Sequence, residues 1–125
     1  MNILVVDDNS AVLAQINCLL AGRGHHVANA KNGLDGYKKY QEQPFDLLII
    51  DHLMPLMDGV KLLKNISQDE HLIPIIFMTT QGRESMKHLI EQSLCDCILD
   101  KPIDDVKFLT LIAQLNKQNT RVASL

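Results

Sequence analysis

Apolar residues are distributed along this chain in two alternating patterns. Continuous runs rich in β-branched residues occur as ILVV at 3–6, LLII at 47–50 and IPIIFM at 73–78, with weaker ones as HHVANA at 25–30 and CDCIL at 95–99. Continuous rather than alternating apolar character predicts strands buried on both faces, as in a parallel sheet. Between the runs, apolar positions recur at helical spacing. Val12, Leu13, Ile16, Leu19 and Leu20 follow Asn9-Ser10, which can cap a helix, and Gly22 can end it. Leu34, Tyr37 and Tyr40 follow Asn32 and stop before Pro44; Val60, Leu62, Leu63 and Ile66 follow Asp58, a sound N-cap. Met86, Leu89 and Ile90 make a fourth, weaker stripe. Val106, Leu109, Ile112 and Ala113 make a fifth, after Asp104-Asp105, whose charges suit a helix N-terminus. A strand followed by a helix, five times over, predicts an α/β fold with a doubly wound sheet and helices on both faces. The final KQNTRVASL loses the periodicity, so a compact domain over 1–117 with a polar tail or linker start at 118–125 is expected.

Composition narrows the function classes. The 125 residues suit one domain with a real core, and the 46% apolar and 22% charged fractions are ordinary for a soluble chain. A net charge of −3 without a Lys/Arg cluster argues against direct nucleic acid binding, which needs a basic patch. Neither a signal peptide nor a membrane span is legible, and the odd set Cys18, Cys95 and Cys97 fits reduced thiols, so a cytoplasmic location is expected. Cys95 and Cys97 are half a metal site at most, and small buried residues describe them better. His25, His26, His52, His71 and His88 have no ligand spacing, although His52, beside Asp51, is placed to tune access to it.

The polar residues that end the strands carry the chemistry. In open parallel sheets, ligands bind outside the carboxyl ends of the strands. Asp7 and Asp8 follow ILVV, Asp51 follows LLII, Thr79 and Thr80 follow IIFM, and Lys101-Pro102 follows CILD. Each alone has a plain structural explanation: a turn or cap carboxylate, a satisfied hydroxyl, a solvated ammonium. Four strands ending this way in one small domain make coincidence the poorer explanation. Converging carboxylates repel unless one is protonated or a cation lies between them. Oxygen-only ligation favours a hard ion such as Mg²⁺, which keeps water and binds phosphate oxygens. With a lysine and a hydroxyl beside it, such a site is suited to a transferring phosphoryl group, and a carboxylate can itself be the nucleophile.

At these residues the sequence closely resembles the receiver domain of bacterial two-component response regulators, from ILVVDD through LLIIDHLMPLMDG and PIIFMTT to LDKP, over residues 2–117. The resemblance implies a flavodoxin-like (βα)5 sheet with strands in the order 2-1-3-4-5. It implies that Asp51 is the phosphoacceptor and that Asp8 binds Mg²⁺ directly. By the same resemblance, Asp7 would act on the ion through water, and the backbone carbonyl of Leu53 would be a further ligand. Thr79 would be the hydroxyl that closes onto the phosphoryl group, Lys101 the ammonium that pairs with it, and Pro102 the usually cis proline that aims the lysine. Pro55 and Gly59 would shape the loop walling the site. The implied partners are a sensor histidine kinase or histidine phosphotransfer protein and a downstream protein target. The implied role is a phospho-accepting signalling module, whose only chemistry is its own phosphorylation and dephosphorylation.

Three positions depart from the family pattern. The aromatic residue usual three positions before the lysine is Ile98, the residue after the switch hydroxyl is Thr80 where Ala is common, and Leu94-Cys95 replaces a frequent Gly-Ala. An aliphatic side chain at 98 cannot act as a rotating aromatic switch. Two rival readings stand beside the receiver. A non-phosphorylating receiver-like module is opposed by the full set Asp7, Asp8, Asp51, Thr79 and Lys101. A small Asp-dependent phosphatase is opposed by the lack of an Asp-x-Asp motif on the first strand and of a cap domain.

Overall fold

The computed structural model describes residues 1–69 and 73–123, with side chains described as far as residue 118; His71 and the last two residues of the polar tail lie outside the described residues. The predicted alternation is realised as β1 (Asn2–Val6), α1 (Ser10–Leu20), β2 (His26–Ala30), α2 (Gly33–Glu42), β3 (Leu47–Asp51), α3 (Gly59–Ser67), β4 (Ile75–Thr79), α4 (Arg83–Met86), α5 (His88–Glu91), β5 (Cys97–Asp100) and α6 (Asp105–Ala123). The strands form one parallel sheet in the order β2-β1-β3-β4-β5. The central strands β1, β3 and β4 are apolar without alternation because both faces are covered. Leu4, Val6, Leu48, Ile50 and Phe77 pack toward α2, α3 and Leu89 of α5. Ile3, Val5, Leu47, Ile49 and Met78 pack toward α1 and α6.

The predicted caps form. The Asn9 side chain accepts from the Ala11 and Val12 amides, Asn32 from Asp35, and Asp58 from Lys61 at 2.8 Å. Each fixes a helix start just beyond the C-terminal edge of a strand, where the functional side chains emerge.

Four expectations about helix faces and ends need correction. The fourth stripe is not one helix: α4 and α5 are four residues each and meet at Lys87, and Ile90 is exposed. Neither has a side-chain cap, and Leu89 is the only fully buried side chain between them, so little packing sustains a longer helix. The inward face of α6 carries Phe108, Ile112 and Leu115, not the stripe beginning at Val106, which is 74% exposed. Two residues are roughly 200° of helical rotation, which puts Val106 opposite Phe108. Leu34 is likewise exposed at the first turn of α2. The helical backbone of α6 continues through Ala123, past the loss of apolar periodicity; the stretch contains neither Gly nor Pro to stop it.

Candidate functional site

The parallel register brings the strand ends to one edge of the sheet. β1 and β3 are adjacent, with Val6 paired to Ile50, so Asp7 and Asp51 leave neighbouring strands at the same level. Ligand oxygens of Asp7, Asp8 and Asp51 all lie within 4.8 Å of one another, the only such cluster of His, Cys, Asp and Glu among the described residues. Asp7 and Asp51 are buried and Asp8 is exposed. Lys101, one residue beyond β5, reaches between the two buried acids: its Nζ lies 2.7 Å from Asp7 Oδ2 and 2.9 Å from Asp51 Oδ1. The Lys101–Pro102 peptide is cis.

The oxygens are not equally available. Asp7 Oδ1 accepts from the Asn9 amide at 2.8 Å and Oδ2 meets Lys101, so both its oxygens are engaged. Asp8, being exposed, offers its carboxylate from the open side of the cluster. Three carboxylates and one ammonium leave two negative charges, which one divalent cation would balance. An all-oxygen set of this charge fits Mg²⁺, and no thiol or imidazole belongs to the cluster. Free Cys95 is buried, as expected, and free Cys97 half-buried; burial pushes the first thiol up to about 12 and raises the second.

The charges shape the protonation of the site. Burial raises the Asp51 carboxyl most, the Asp7 charge adds to it, and hydrogen bonding and charge from Lys101 oppose both, leaving it pushed up to about 6. At neutral pH it is mostly ionised and carries a carboxylate more basic than an exposed one. For Lys101, burial favours the neutral amine, but the bonds and charges of Asp7 and Asp51 outweigh it and raise the pKa above its ordinary value.

Thr79, at the end of β4, is fully buried. Its hydroxyl oxygen accepts from the Gln81 amide at 3.0 Å and shares a 3.0 Å hydrogen bond with Nδ1 of His52. Sequence reading puts His52 beside Asp51 and misses this second bond. Its signal is register: Asp51 pairs with Met78 and the His52 amide donates to the Met78 carbonyl, so His52 stands opposite Thr79. Thr80 is exposed, and Ile98 is buried beside Phe77, its register partner. Leu53 lies in the loop after Asp51 with its side chain 56% exposed. Arg83 at the start of α4 is tied to Asp100 at the end of β5, through its amide at 2.9 Å and its guanidinium at 3.3 Å, a link sequence reading missed.

Gly59 closes the floor beneath Asp51. Its amide donates to the His52 carbonyl at 2.7 Å, and a Cβ here would lie 2.1 Å from the Asp51 carbonyl oxygen. The Asp58-Gly59 pair therefore combines a helix cap with a backbone approach that admits no side chain.

A doubly wound sheet in this strand order, with an acidic cluster at its carboxyl edge, places the chain in the flavodoxin-like class of α/β domains. Comparison with known proteins makes the assignment specific. Residues 3–113 match the model of the response regulator receiver domain. The chain is 34% identical over 115 residues to response regulator RR06 of Streptococcus pneumoniae, covering 92% of this chain and 52% of that one. It is 30% identical to protein PilH of Pseudomonas aeruginosa, covering 88% of this chain and 93% of PilH. The crystal structure of a response regulator receiver domain protein from Clostridium thermocellum superposes with a TM-score of 0.83 at 25% identity, over 97% of this chain and 98% of that one. The chain belongs to the response regulator receiver domain family. It spans about half the length of RR06 and of the Bacillus subtilis regulator YclJ, 52% and 49% respectively. No helix among the described residues is long and apolar enough to cross a membrane.

Proposed function

We propose that this domain accepts a phosphoryl group on Asp51 from a phosphohistidine donor, with Mg²⁺ held at the acidic cluster, and that the phosphorylated form binds a downstream protein target. The observation that carries the reading is the Lys101 ammonium set between Asp7 and Asp51 in a cluster that retains two unbalanced negative charges. The Asp51 carboxylate attacks the phosphorus of the phosphoimidazole; a P–O bond forms, the P–N bond breaks, and the imidazole leaves with a proton. Asp8 and Asp51 would hold the ion directly, with the Leu53 carbonyl as a further ligand and Asp7 acting through water. Bound there, Mg²⁺ supplies charge neutralisation for the phosphoryl oxygens. Lys101 is already within reach of Asp51 and balances the charge delivered to it. Thr79 donates its hydroxyl to a phosphoryl oxygen, which couples the covalent change to the β4–α4 segment. Pro102, which follows Lys101 through a cis peptide, would aim the lysine.

The domain is in this reading a switch in the cytoplasm rather than an enzyme acting on other substrates. Incubation with a phosphohistidine-containing transfer protein tests it. Loss of label from the donor with Mg²⁺-dependent gain on the wild type, and none on Asp51→Asn, is expected. Equal labelling of the variant would overturn the assignment. Turnover of small phosphomonoesters would instead favour a phosphatase.

A further inference from the structure

The surroundings of Thr79 differ from a receiver switch built on an aromatic ring of the last strand. The position on β5 where such a ring would be expected carries buried Ile98. An imidazole ring sits instead on the opposite flank of Thr79: His52 packs on Phe77 with ring centroids 5.3 Å apart at 49°, and its Nδ1 is 3.0 Å from the Thr79 hydroxyl oxygen. Continuing the sheet register gives His52, Thr79 and Asp100 as successive neighbours across β3, β4 and β5, with Ile50, Phe77 and Ile98 one pleat below. The ring beside the hydroxyl is therefore attached to β3, one residue after Asp51.

The hydroxyl has few bonds to give. Its oxygen accepts from the Gln81 amide and it carries one proton. If the proton lies toward Nδ1, it is not free for a phosphoryl oxygen; if Nδ1 carries the hydrogen, the oxygen takes a second donor. Where the hydroxyl donates to Nδ1, it must exchange its His52 partner for a phosphoryl partner when the site closes; where Nδ1 donates, the hydroxyl proton is already free.

We propose, resting on the reading of Asp51 as phosphoacceptor, that His52 is a positioning residue for this site: its imidazole, with Nδ1 accepting the hydroxyl proton, holds Thr79 in the open arrangement and is released when the hydroxyl closes onto the phosphoryl group. The latch sets the free-energy cost of closure. It also places the moving ring on the β3 side. The His52 carbonyl holds the first amide of α3 through Gly59, so release of the ring is felt by the loop of Leu53 and Leu56 and by the start of α3.

The test uses fluoroberyllate with Mg²⁺ as a phosphoryl mimic, titrated into the folded protein and followed by NMR. His52→Phe keeps a ring against Phe77 but cannot bond the hydroxyl. It is expected to tighten apparent fluoroberyllate affinity about fivefold, the factor for one typical net hydrogen bond. His52→Gln, whose amide can bond the hydroxyl, should stay closer to wild type. In a Thr79→Val background, His52→Phe should change nothing, because the partner it frees is gone. In the wild type, the ¹⁵N resonance of His52 Nδ1 should shift on saturation as it loses Thr79. Three results would each overturn the latch: an unchanged or weaker affinity for His52→Phe, the same tightening in the Thr79→Val background, or an unmoved Nδ1 resonance. If the folded wild type shows no Asp51- and Mg²⁺-dependent binding of fluoroberyllate, the reading of the site itself fails, and the latch falls with it.

Discussion

Replacing Asp51 by Asn should stabilise the domain, although it removes an ion pair. Burial and the nearby Asp7 push the Asp51 carboxyl up to about 6, from an ordinary value near 3.8. A carboxyl whose folded pKa lies above its unfolded one binds more protons in the folded state through that interval. Its contribution to stability is therefore present below about pH 4 and is lost as pH rises to about 6. Two pKa units correspond to about 3 kcal/mol. The open side of the pocket lets water screen part of that, so about 1–2 kcal/mol is the expected net gain. The loss of one Lys101 partner does not reverse the sign, because Lys101 keeps Asp7 at 2.7 Å. For 125 residues, an unfolding entropy of about 0.26 kcal/mol/K converts the gain to about 4–8 °C in Tm. Thermal unfolding of wild type and Asp51→Asn, without divalent cations, is the assay. The two curves should nearly coincide at pH 4 and separate by pH 7.5. Mg²⁺ at about a hundred times its Kd should add about 2.7 kcal/mol to the wild type and close or reverse the gap. A variant no more stable at pH 7.5, or one whose advantage is the same at both pH values, would refute the reasoning.

Three further perturbations probe the same edge and the core behind it. Lys101→Met leaves the buried Asp7 and Asp51 facing each other, and should cost about 3–5 kcal/mol without Mg²⁺ in denaturant unfolding, opposite in sign to Asp51→Asn; a neutral result would mean that the lysine does not balance these charges. Asp8→Ala should weaken Mg²⁺ binding at least tenfold by calorimetry with little change in stability, since Asp8 is exposed; an unchanged Kd would support a receiver-like module whose acids are structural. Gly59→Ala forces a Cβ against the Asp51 carbonyl and should cost about 1–3 kcal/mol in the same unfolding assay, whereas a variant as stable as wild type would show that the loop yields freely.

The sheet and most of the pocket are readable because they rest on strong, local signals. Runs such as LLII and IIFM are continuous because both faces of β3 and β4 are covered, and parallel topology then carries Asp7, Asp51, Thr79 and Lys101 to one edge. What the sequence hides depends on pairing between distant segments or on balances of weak terms. The contact between His52 and Thr79 follows from a one-residue register that no composition reveals. The break at Lys87 reflects how little α4 and α5 bury. The inward face of α6 is easily misread because Val106 and Leu109 mimic a helical stripe, while the buried set begins at Phe108.

The most direct measurement locates the covalent adduct. After incubation with Mg²⁺ and acetyl phosphate, borohydride reduction converts an aspartyl phosphate to homoserine, and peptide mass spectrometry finds the altered residue. Conversion at Asp51, dependent on Mg²⁺ and absent without the phosphoryl donor, is the predicted result. Conversion at Asp7 or Asp8 in its place, or none in folded protein that also takes no phosphoryl group from a phosphohistidine donor, would contradict the assignment of Asp51 as phosphoacceptor.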